Sequence, residues 1–136
     1  MSRTKLALWI LVAGGILLVI GWIWGASGRW AAEAAERDAQ LRLHAAQARA
    51  ALAAARVDVF ERNFGQASRN LEQAKAALNR AAAALDDAGR SEQASAMREA
   101  ATRSGKAQQL AGSVDQAANS EAAEALRILD RAGVER

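Results

Sequence analysis

His44 is the only histidine, and the chain has no cysteine, so any metal site would have to be completed by carboxylates. Metal coordination needs several convergent ligands, and a single histidine beside an apolar helical seam reads as a solvated side chain. The neighbouring acids Asp86 and Asp87 are not followed by the Asp/Asn ladder and glycine of a calcium loop, and they read as a solvated corner at a helix end. Asp58, Glu61 and Arg62 stand at helical spacing and could pair a proton donor with an acceptor. General acid–base work, however, requires a pocket that shifts pKa values, and a slim alanine-rich chain has few bulky side chains from which to build one. That trio reads as a surface ion pair. With no glycine-rich phosphate loop and no nucleophile elbow, the chain is read as non-enzymatic, with no catalytic, cofactor or metal residue assigned.

The elements that carry these side chains are predicted to be helices. There is no proline, and more than a quarter of the residues after position 28 are alanine, the best helix former. From Leu41 to Val134 only seventeen residues are Leu, Ile, Val, Phe or Met, but they fall at helical spacing rather than scattering as in a disordered chain. Leu41, Ala45, Ala48, Leu52, Ala55 and Val59 recur at steps of four and three along one seam, and Phe64, Ala67, Leu71, Ala74, Leu78, Ala81 and Leu85 repeat the pattern. Asn63, Phe64 and Gly65 supply the break, with Gly65 expected to take the left-handed conformation. Ala88 and Gly89 end the second helix. Ser91 is expected to cap a third, lined by Met97, Ala100, Ala107, Ala111 and Val114 and weakened by Ser104, Gly105 and Gly112. Asn119 or Ser120 would cap a short fourth helix with Leu126 and Leu129 on its apolar face and Gly133 at its end.

Asn63-Phe64-Gly65-Gln66-Ala67, followed by Leu71 and Ala74, resembles the turn and second helix of a tetratricopeptide unit, and a fainter echo runs from Asn119 through Ala122, Leu126 and Leu129. The resemblance implies a helical-hairpin module that binds peptides or protein partners in a concave face. The spacing departs from that family: the echo returns after 55 residues rather than 34, and the first helix runs from about Trp30 to Arg62. The hairpin carries over, and no ligand-binding residue does.

Upstream lies a different kind of segment. From Leu6 to Trp24 nineteen residues carry no charge, enough helix to cover about 28 Å of a hydrocarbon layer roughly 30 Å thick. Arg3 and Lys5 precede the run without an acid, whereas Arg29 is soon followed by Glu33 and Glu36, so the N-terminus is placed on the cytoplasmic side. Trp9 at one end and Trp22, Trp24 and Trp30 at the other suit the interfacial belts. The competing reading is a cleaved signal peptide ending at Gly25, Ala26 and Ser27, but the apolar core exceeds the 7–15 residues or so usual for one. Gly14, Gly21 and Gly25 share a stripe that would let two such helices approach. The division is then a cytoplasmic tail (1–5), a transmembrane anchor (6–28) and an exported helical domain (29–136). The expected fold class is all-α: one N-terminal transmembrane helix, then an antiparallel helical-hairpin bundle of three to four long helices.

Sixteen of the eighteen Lys and Arg lie beyond the apolar run, against fifteen Asp and Glu, so the domain has no basic footprint, and Phe60 and Phe64 are its only aromatics after Trp30. Nucleic acid is therefore not an expected partner. The expected partners are the lipid bilayer together with a protein partner or further copies of the chain. Leu52, Val59, Phe60, Phe64, Leu71 and Leu78 are the candidates for helix packing or partner contact. The functional expectation is a membrane-anchored protein-interaction or scaffolding module in the inner membrane of a bacterial envelope, its domain periplasmic. The alternatives are an extracytoplasmic sensory bundle, which would signal through a membrane partner because only five residues precede the anchor, and a mechanical spacer.

Overall fold

The computed structural model describes the backbone of residues 3–134, and the side chains of 15–19, 21–22 and 30–134. The described chain is all-helical: α1 (Arg3–Phe60), α2 (Phe64–Asp87), α3 (Ser91–Gly112) and α4 (Ala118–Ala132). It divides into two compact units, Met1–Arg37 and Asp38–Arg136. In the first, among the described residues, no helix is long and apolar enough to cross a membrane. Most side chains of the run from Leu6 to Trp24 lie outside the described residues.

The second unit is a four-helix bundle, and its inward seams are those the spacing predicts. Leu41, Ala45, Ala48, Leu52, Ala55 and Val59 are buried on α1, as are Ala67, Leu71, Ala74, Leu78, Ala81 and Leu85 on α2. The neighbour pairs α2–α3 and α3–α4 are in contact. Asn70 Nδ2 donates to Asp58 Oδ2 at 2.6 Å and ties α2 to α1. Two bonds close the ring: Arg49 pairs with Asp130 at 2.6 Å, and Arg56 Nε donates to Asn119 Oδ1 at 3.0 Å. Because the α1 numbers fall as the α4 numbers rise, α4 lies antiparallel to α1, giving up-down-up-down connectivity. In a tetratricopeptide array the last helix would move on from the first and leave a concave face, whereas here α4 returns to α1 and closes that space.

Among the described residues, sixteen of the 26 that are buried and apolar are alanine. Each buried methyl contributes only about 0.8 kcal/mol, so the stability rests on close helix approach and on the few large side chains Leu52, Leu71, Leu78, Leu85, Met97 and Leu129. Ser104, buried among them, donates to the Ala100 carbonyl at 2.9 Å, which satisfies its hydroxyl in the apolar interior, and α3 runs unbroken through Ser104 and Gly105.

The helix ends depart from expectation in instructive ways. Gly65 lies inside α2, and the left-handed residue of the first turn is Arg62 (φ 63°). There Asn63 N–H reaches the Asp58 carbonyl at 2.7 Å and Arg62 N–H the Val59 carbonyl at 3.1 Å, while the Asn63 side chain accepts from Gln66 N–H to start α2. The same stop recurs at Gly89 (φ 72°) and, with a β-branched residue, at Val114 (φ 59°). Val114 is therefore not on the inner face of α3 but beyond its end, 66% exposed. Arg90 rather than Ser91 is the N-cap of α3, one residue ahead of the expected cap, and Ala117 is the N-cap of α4, two residues ahead of Asn119 and three ahead of Ser120. Gly133 (φ 62°) ends α4 as its sequence position predicts.

Candidate interaction surface

The residues singled out as possible contacts separate cleanly. Leu52, Val59, Leu71 and Leu78 are fully buried and hold the bundle together, Phe64 is half-buried against the core, and Phe60 is 83% exposed. Of the three glycines read as a possible pairing stripe, Gly21 has open space where a side chain would project, and Gly14 and Gly25 lie outside the residues whose side chains are described.

Phe60 is not isolated. Leu43, Ala46, Ala50, Ala53, Val57 and Phe60 follow one another along α1 at steps of three and four, and all six are exposed. At 3.6 residues per turn this row lies roughly 150° around the helix from the buried seam, so this part of α1 carries two apolar seams, one facing the bundle and one facing solvent. Four large apolar side chains of the second unit are exposed, and three of them, Leu43, Val57 and Phe60, are in this row. The outer faces of the other helices are polar: Arg69, Glu72, Lys75 and Asn79 on α2, Glu92, Arg98 and Lys106 on α3, and Ser120, Arg127 and Asp130 on α4.

Two surface grooves border the row. One, of about 320 Å³, runs between α1 and α4 and is lined by Ala53, Arg56, Val57, Phe60 and Asn119. The other, about 520 Å³, lies between α1 and α2 with a floor of Ala50, Ala51, Ala54 and Ala77 and a rim of Gln47, Asn70 and Arg80. Both are open and floored by methyl groups, a shape suited to the side chains of an apposed helix.

The side chains first weighed for chemistry lie on α1, on α2 and in the turn between them. Asp58 is engaged by Asn70 rather than by an arginine, His44 lies half-buried beside Gln47, and Asp86 pairs with Arg98 across α2 and α3. Among the described residues no three metal-capable side chains converge. Glu121 is engaged by two cations, meeting Lys106 Nζ at 2.5 Å and Arg103 at 3.2 Å. The Lys106 hydrogen bond is the main influence holding its carboxyl below the usual range, with Arg103 adding to it and partial burial opposing.

No family model, curated protein or solved structure matches this chain. Apart from Phe60, the outer row is not among the sequence-predicted contacts, because one inward stripe per helix already accounts for a bundle. The signal was present nonetheless: alternating steps from Leu43 to Phe60 form a second heptad pattern with nothing to bury it inside a closed bundle.

Proposed function

We propose that this chain is a membrane-anchored protein-interaction or scaffolding module of the cell envelope, non-catalytic, with α1's outer row as its contact surface. The supporting observation is that row of six apolar positions, continuous over five turns and unmatched on the other helices of the bundle. Anchoring is supported by the nineteen uncharged residues from Leu6 to Trp24, and an inner-membrane, N-terminus-inside placement by Arg3 and Lys5. On this reading the bundle fixes the geometry of α1, and the face that the bundle does not use is left for a partner helix.

Affinity capture of the tagged full-length chain from mildly solubilised native membranes tests the proposal when run beside Leu43→Glu/Phe60→Glu. Stoichiometric recovery of a protein, or of further copies of the chain, that the double variant loses supports it. Equal recovery by both forms, or recovery of neither, contradicts the outer row as the contact surface.

A further inference from the structure

The two flanks of the outer row differ in charge, and that difference selects an occupant. With Leu43, Ala50 and Val57 as one set of heptad positions and Ala46, Ala53 and Phe60 as the other, the residue before each member of the first set is an arginine: Arg42, Arg49 and Arg56. The opposite flank carries Gln40, Gln47, Ala54 and Glu61. Arg42 is paired with Asp38 one turn back on α1, Arg49 and Arg56 are held by Asp130 and Asn119 of α4, and the other flank faces the α2 groove, which Gln47 and Ala54 line.

Two helices paired in parallel bring each flanking residue opposite the residue five places further along its neighbour. For two copies of α1 in register, Arg42 would face Gln47, Arg49 would face Ala54, and Arg56 would face Glu61 of the second copy, with no like charges opposed. Antiparallel pairing would set arginine row against arginine row, and like charges so placed are unfavourable. Within the bundle Arg56 is bonded to a neutral amide, so its charge remains to be complemented by an acid.

We infer that a second copy of this chain covers the outer row, α1 against α1, parallel and in register from Leu43 to Phe60. The central alanines Ala46, Ala50 and Ala53 meet their own kind and let the helices approach closely, while Leu43, Val57 and Phe60 supply the larger contacts at the ends. The inference rests on the reading of the outer row as a contact surface and names its partner.

The chain has no cysteine, so an introduced thiol is the only one present. The full-length Ala46→Cys variant, oxidised in its native membranes, is expected to form a disulfide-linked dimer. Asn79→Cys, on the polar outer face of α2 and outside both grooves, is expected to stay monomeric. Adding Val57→Glu to Ala46→Cys should abolish the linked band. When Ala46→Cys and Val57→Cys carry tags of different size and are co-expressed, each should link to its own kind. Linkage of position 46 to position 57 would overturn the parallel register, and linkage that survives Val57→Glu would place the contact elsewhere. If Ala46→Cys links to a different protein and not to itself, self-pairing fails while the contact surface stands. If it links to nothing, both fail.

Discussion

At Val114 a β-branched side chain occupies the left-handed backbone region, φ 59°, where its Cβ crowds the carbonyl that follows. The residue is exposed and gains little packing in return, so Val114→Gly should stabilise the bundle by about 1 kcal/mol, read as a higher urea midpoint at unchanged slope. Arg62 shows why the first turn was misplaced in the sequence. Gly65 invites a left-handed assignment, but α1 ends where the Asp58 and Val59 carbonyls can accept from Asn63 and Arg62, and Asn63 then caps α2. The glycine therefore falls one turn too late to be needed. Glu121 makes a second residue-scale prediction. Its folded pKa lies below the unfolded value, so its contribution is complete above the ordinary carboxylate range and is lost as pH falls toward and through the folded value. Glu121→Gln should lower the urea midpoint at neutral pH and flatten its decline on the acid side.

The inward seams of α1 and α2 were legible because large residues and alanines alternate at strict heptad steps, and every position from Ala67 to Leu85 in that series is buried. The ring closure was not legible, since it depends on Arg49–Asp130 and Arg56–Asn119, pairs separated by more than sixty residues that no local pattern announces. Nor could the sequence divide its candidate contacts into core and surface, because Leu71 and Phe60 both stand at seam positions and only the bundle shows which seam each belongs to. That distinction has a measurable consequence. Leu71→Ala leaves a cavity in an alanine-rich interior with few large neighbours to collapse into it, and should cost about 3 kcal/mol. Phe60→Ala, at a site 83% exposed, should change stability by less than about 0.5 kcal/mol while weakening association.

For the molecule as a whole, a bundle in which sixteen of the 26 described buried apolar residues are alanine carries a second apolar seam on the face of α1 away from its core. The absence of proline and the abundance of alanine suit the chain to a helical body, and the uncharged run at its start provides the proposed anchor. That anchor predicts that the full-length chain stays with the membrane pellet after alkaline extraction and is released only by detergent. Recovery in the alkaline supernatant would contradict it. Pairing through the outer face of α1 is read by native mass determination of the full-length chain in mild detergent, beside Val57→Glu. The expected result is a dimer that becomes a monomer in the variant with helix content unchanged. A wild-type monomer, or a dimer indifferent to Val57→Glu, would contradict it.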